Sequence, residues 1–162
     1  LQSWLQAFAR YCESGNDRKQ GAALGNLGVA YQALGQHDQA IGAYRQHLEI
    51  ARKIQDCKGE SNALGNLGNL YHALGAYDAA IECHQQRLPL ARQLNDQQTL
   101  GHTLSNLAAA YSAVHQYDKA IPCYEESLAI ALEIHDLFRQ AQALKQLRLT
   151  YLTLGKPSKA AE

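Results

Sequence analysis

The sequence predicts an all-α solenoid built of antiparallel helix pairs. The first observation is a motif that recurs every 40 residues: Leu24-Gly25-Asn26-Leu27-Gly28, Leu64-Gly65-Asn66-Leu67-Gly68, Leu104-Ser105-Asn106-Leu107-Ala108 and Leu144-Lys145-Gln146-Leu147-Arg148. A fixed period of this size marks a repeat array and overrides a reading as one ordinary globule. The second is the spacing inside each copy. Leu24, Leu27, Tyr31 and Leu34 fall three, four and three residues apart, the stripe of one packed helix face. The third is punctuation: Gly35, Gly75 and Gly155 stand where a left-handed residue ends a helix.

Taken in order, residues 1–15 carry Trp4, Phe8 and Tyr11 on one helical face. Trp4 lies one period before Tyr44 and Phe8 one period before Leu48, so this segment reads as the second helix of a preceding repeat. Ser14-Gly15-Asn16-Asp17 breaks it and offers a cap for the next helix. Repeat 1 spans 18–55. Its first helix runs from about Arg18 to Leu34. Its second starts near His37-Asp38, with Asp38 favourable to the helix dipole, and buries Ala40, Ile41, Tyr44, Leu48 and Ala51. Asp56 is the expected cap of the following helix. Repeats 2 and 3 span 58–95 and 98–135 and replay this pattern. In repeat 3 His115 replaces the turn glycine, in a backbone region unfavourable to a side chain. Residues 138–162 form a truncated fourth repeat whose second helix stops at Glu162.

Small residues recur at two positions: Gly28, Gly68 and Ala108 at one, Ala40, Ala80, Ala120 and Ala160 at the other. A glycine inside a helix costs about 1 kcal/mol against alanine, so Gly28 and Gly68 imply close helix contact. Pro89 is mid-helix on this reading and is expected to kink its helix.

Fifteen basic residues balance fifteen acidic ones, which removes the electrostatic argument for nucleic acid as a partner. No apolar run approaches the ~20 residues of a membrane helix, so no membrane insertion is expected. Cys12, Cys57, Cys83 and Cys123 form no C-x-x-C pair and read as free thiols of a reducing, cytoplasmic compartment. The seven histidines form no metal-ligand spacing, no nucleophile–base constellation stands out, and no glycine loop joins strand to helix. The expectation is a non-enzyme with no catalytic residue, cofactor or metal. The chain opens at Leu1 and has no methionine, which suggests a piece of a longer polypeptide.

The set Leu24, Leu27, Gly28, Tyr31, Ala40 and Tyr44, repeated as Leu64, Leu67, Gly68, Tyr71, Ala80 and His84, resembles the tetratricopeptide repeat (TPR) pattern. The 40-residue form is similar to LGN/Pins-like polarity scaffolds and bacterial multi-TPR proteins, and more distantly to kinesin light chains. The resemblance implies a right-handed superhelix whose first helices line a concave, peptide-binding groove. It implies a protein-protein interaction scaffold holding a peptide of a partner, or alternatively a regulatory or assembly module of a larger signalling protein or enzyme. In many members an asparagine after the small position grips the peptide backbone. Here that position holds Val29, Asn69, Ala109 and Leu149, so only Asn69 matches. Its amide donates and accepts at once.

The same geometry implies groove positions at Asn62, His102 and Gln142; at Gly25, Gly65, Ser105 and Lys145; and at Gln32, His72, Ser112 and Leu152. The groove candidates are Asn62, Asn69, His72, His102, Ser105 and Lys145. Arg87 matches the arginine of the LGN-like Gln-Arg-Leu segment and is a candidate contact for an acidic ligand. Asn26, Asn66 and Asn106 recur at every turn and read as structural. Trp4 and Phe8 on one helix, and Leu149 and Leu152 on another, suggest end-to-end self-association.

Overall fold

The computed structural model describes residues 1–156 and Lys159. Among them lie eight α-helices and no strand: α1 (Gln2–Glu13), α2 (Asp17–Ala33), α3 (His37–Lys53), α4 (Cys57–Ala73), α5 (Tyr77–Gln93), α6 (Gln97–Ala113), α7 (Tyr117–Glu133) and α8 (Leu137–Thr153). From α2 onward each has 17 residues, about 4.7 turns. The all-α class is as expected. The second helix expected after Lys156, with Ala160, lies outside the described residues.

One device ends every helix. Residues 15, 35, 55, 75, 95, 115, 135 and 155 all have positive φ; four are glycine, and Gln55, Asn95, His115 and His135 are the others. In the first turn of this kind that joins two full helices, Gly35 N–H donates to the Gln32 carbonyl at 3.0 Å and Gln36 N–H to Tyr31 at 2.9 Å. This pair of bonds satisfies carbonyls that the helix leaves open. His115 (φ 59) makes the same pair, to Ser112 at 3.1 Å and, through Gln116 N–H, to Tyr111 at 2.9 Å. The turn at His115 therefore keeps the glycine geometry despite its side chain.

Helix starts come in two kinds. Asn16, Asp56, Asp96 and Asp136 cap α2, α4, α6 and α8, each accepting from the backbone N–H three residues on at 3.0–3.1 Å. α3, α5 and α7 have no side-chain cap but carry Asp38, Asp78 and Asp118 in their first turns. α5 runs through Pro89 as one continuous helix.

The chain divides into two compact units, Leu1–Gly75 and Ala76–Glu162. In the first, α1 packs on α2, α2 on α3, α3 on α4, and α2 also meets α4. Leu24, Leu27 and Ala43 form a core against Phe8, Tyr31 and Ile50. Gly28 is small for a reason: a Cβ there would lie 2.5 Å from Tyr44 Cδ1 and 2.8 Å from its Cζ. Leu34, expected in the packed stripe, is 60% exposed because it is the helix C-cap and has left the face. On α3, Ile41 and Leu48 are only half-buried, while Ala43 and His47 are buried. Contact with both α2 and α4 widens the buried arc beyond one apolar stripe. His47 lies over two glycines: a Cβ at Gly21 would stand 3.0 Å from its Cδ2, and one at Gly25 3.1 Å from its Nδ1.

In the second unit α5 packs on α6, α6 on α7, and α7 on α8. Ala80, Leu104, Leu107, Ala108, Ala120, Tyr124, Ala131, Ala143 and Leu147 are buried. A tyrosine hydroxyl bond joins successive helices at a constant separation of 26 residues. Arg45 donates to Tyr71 at 2.8 Å in the first unit; Gln85 donates to Tyr111 at 2.7 Å, and Tyr151 to Glu125 at 3.1 Å, in the second. The partner changes from cation to amide to carboxylate, yet the phenol adapts by accepting or donating.

Candidate functional site

The first helices present their site residues by helical spacing. On α4, Asn62, Asn69 and His72 lie seven and three residues apart and so share a face. Asn62 and Asn69 are exposed and His72 is half-buried. This face carries hydrogen-bonding groups.

In the second unit the three helices α6, α7 and α8 line an open pocket of about 170 Å³. Ser105 and Asn106 of α6 form one wall, Gln142 and Gln146 of α8 the other, and Tyr124 of α7 the floor. Ala109 and Ala143 complete it with small apolar surfaces. The residues lie there because α6 and α8 stand on either side of α7, whose Tyr124 is only 2% exposed.

Ser105 is held by a bonded chain. Ser127 Oγ donates to the Gly101 carbonyl at 3.0 Å, so its remaining lone pair accepts from Ser105 Oγ at 2.7 Å. Ser105 therefore offers the pocket acceptor capacity, its proton being spent on α7. The carboxamides of Gln142 and Gln146 are exposed and make no hydrogen bond among the described residues.

His102 and Lys145 are exposed on α6 and α8 but do not line this pocket. Partial desolvation first, then the charges of Arg139 and Arg87, hold His102 below the ordinary histidine range. Arg139 reaches α6 directly, donating to the Gln98 carbonyl at 2.6 Å.

Arg87 departs from its expected place. It is 8% exposed, on the buried side of α5, at the repeat position held by His47 and Ser127. Desolvation lowers its pKa, opposed by the Asp96 carboxylate. The guanidinium belongs to the interior, since this repeat position faces a neighbouring helix and not solvent.

Sequence reasoning did not select Asn106, Gln146 and Tyr124 as site residues. The recurrence of Asn26, Asn66 and Asn106 pointed to a structural role, yet Asn26 and Gln146 are exposed and Asn66 and Asn106 half-buried. Unequal exposure at one repeat position is a tertiary property.

Among the described residues no group of three or more His, Cys, Asp or Glu could hold a metal ion. No helix among the described residues is long and apolar enough to cross a membrane. All four cysteines are free thiols, with Cys83 buried and Cys12 exposed.

Comparison with curated protein sequences gives no match. Among solved structures, BtubC (BKLC) from P. vanneervenii is similar at 20% identity and TM-score 0.83, over 90% of this chain and 61% of that one. Aspartyl phosphate phosphatase F from Bacillus subtilis is similar at 21% identity and TM-score 0.83, over 98% of this chain and 42% of that one. A Rap protein complexed with competence and sporulation factor is similar at 18% identity and TM-score 0.74, over 99% of this chain and 46% of that one. The chain thus spans 42–61% of the length of these proteins. At such identities the likeness shows the fold, a solenoid of helix pairs. The tetratricopeptide repeat family profile matches residues 5–93 and 99–162. With helices, turns and profile in agreement over nearly all its length, the chain belongs to the tetratricopeptide repeat family.

Proposed function

We propose that this chain holds a peptide segment of a partner protein along the first helices of its repeats. Tetratricopeptide repeats are general protein-interaction scaffolds, and no catalytic role is assigned to this one. The observation that carries the peptide reading is the pocket between α6, α7 and α8, walled by carboxamides and a hydroxyl and free of charged residues. A peptide bond needs a donor and an acceptor together, and each carboxamide supplies both. Asn62, Asn69 and His72 supply the same chemistry on α4, and His102, Ser105 and Lys145 extend it on α6 and α8. Arg87, buried beside Asp96, supports the fold instead. The Rap structure holding competence and sporulation factor is a related fold with a bound ligand and supports the reading by analogy.

In the same proposal, residues 1–15, 18–55, 58–95, 98–135 and 138–162 are parts of one array, of the 40-residue form seen in LGN/Pins-like scaffolds. The four free cysteines support a reducing, cytoplasmic setting. The exposed Trp4 on α1, and Leu149 and Leu152 on α8, support self-association at high concentration. The alternative reading is a regulatory or assembly module of a larger signalling protein or enzyme.

The test is capture of partners from a lysate of the source cell, read by mass spectrometry. The wild-type chain, Asn69→Ala and a Gln142→Ala, Gln146→Ala double variant are compared, with folding checked by circular dichroism. A partner held by wild type and lost from either folded variant is expected. Partners held equally by all three would refute recognition on the first helices.

A further inference from the structure

We infer that the pocket between α6, α7 and α8 is a subsite for one carboxamide side chain, an asparagine or glutamine of the bound peptide. This rests on the peptide reading above and adds the identity of the side chain that the pocket selects.

Size comes first. A volume of about 170 Å³ is small. The pocket is open to solvent on one side, and a short side chain can enter it from there. Charge comes second. Ser105, Asn106, Gln142 and Gln146 are neutral, and Lys145 lies outside the lining. A ligand carboxylate or ammonium entering here would leave water without a counter-charge. An apolar side chain would take water from the carboxamides of Gln142 and Gln146 and return no hydrogen bond.

The donor and acceptor inventory then narrows the choice. Gln142 and Gln146 each bring two donors and an acceptor that are unused among the described residues, and Ser105 brings acceptor capacity only. A ligand carboxamide presents the converse set on one planar group. Its NH₂ can donate to Ser105 Oγ and to a glutamine carbonyl while its own carbonyl accepts from the second glutamine. The Tyr124 ring below, with Ala109 and Ala143 beside it, suits the apolar faces of the amide plane and its methylene stem. The repeat also places carboxamides at the corresponding positions of the first unit. Asn26 corresponds to Asn106, Asn62 to Gln142 and Asn66 to Gln146.

The experiment titrates the ¹⁵N-labelled chain with three small probes: the N-acetyl, N-methylamide derivatives of glutamine, glutamate and norleucine. The side-chain NH₂ resonances of Asn106, Gln142 and Gln146 are followed by NMR. The glutamine derivative is expected to shift them at a concentration roughly fivefold or more below the other two. The Gln142→Ala, Gln146→Ala variant, with unchanged circular dichroism, should lose most of the Asn106 shift. All three probes carry the same two backbone amides. Equal shifts by all three would therefore overturn the side-chain inference and leave the peptide reading standing. A stronger response to glutamate, or no response to any probe, also overturns the inference. The peptide reading itself falls only with the lysate capture.

Discussion

Replacing Gly28 with alanine should destabilise the first unit, while the same change at Gly42 should stabilise it. Both residues lie inside helices, so each substitution gains the intrinsic advantage of alanine, about 1 kcal/mol. The surroundings differ. A Cβ at Gly28 would meet the Tyr44 ring, with Cδ1 at 2.5 Å and Cζ at 2.8 Å, whereas a Cβ at Gly42 meets nothing within 4 Å. The ring cannot step aside cheaply: Tyr44 is 1% exposed and its hydroxyl donates to Gln32 at 3.1 Å. Overpacking of this kind costs about 1–3 kcal/mol. Subtracting the gain leaves about 0–2 kcal/mol of net loss. Ala108 occupies the same repeat position and is fully buried in a helix pair that includes Tyr124, so a methyl can be housed once two helices are spaced for it. That places the net cost for Gly28→Ala near about 1 kcal/mol, or about 2–4 °C in Tm for a chain of this size. Gly42→Ala should raise stability by about 0.5–1 kcal/mol. Urea and thermal unfolding followed by far-ultraviolet circular dichroism measure both. Equal stabilisation by the two variants would refute the close seating of Tyr44 on the α2 backbone.

Two further outcomes are expected. Gln55 has φ 55 and an exposed side chain with no hydrogen bond among the described residues, so Gln55→Gly should stabilise by up to about 1 kcal/mol; destabilisation would show that its side chain supports the turn. Stability should also depend on His47. Desolvation lowers its pKa, with the Asp56 carboxylate opposing, and its Nδ1 has no hydrogen-bond partner among the described residues. The folded chain therefore resists a proton that the unfolded chain accepts near pH ~6.5. The His47 contribution is complete above that value and is lost as pH falls from there toward the lower folded pKa. His47→Gln should flatten the urea midpoint between about pH 7.5 and pH 5 relative to wild type; an unchanged slope would place the pH dependence elsewhere.

The helices and their caps were legible because they are local. Asp56 caps α4 and Asn16 caps α2 through atoms three residues away, and the spacing of Leu24, Leu27 and Tyr31 states which face is apolar. The small residues at 28 and 108 were legible as contact points for the same reason: glycine or alanine at a fixed place in a repeat needs a neighbour. Gln55, Asn95 and His135 were less so, since a left-handed turn on a residue with a side chain depends on the two carbonyls that the preceding helix leaves open. Arg87 and His47 escaped a reading by polarity, because charge in a sequence suggests solvent while burial is set by the helix packed opposite.

What the sequence by itself determined is the all-α repeat, its register, its caps and its family, all of which follow from spacing along the chain. What only the tertiary structure decided is which residues of that register meet. Asn106, Gln142 and Gln146 became walls of one pocket, with Tyr124 as floor, because α6 and α8 flank α7. Ser105 became a bonded member of that wall through Ser127. A period fixes neighbours three and four residues apart; it leaves open how deeply each helix sits against the next, and that depth sets both burial and the site.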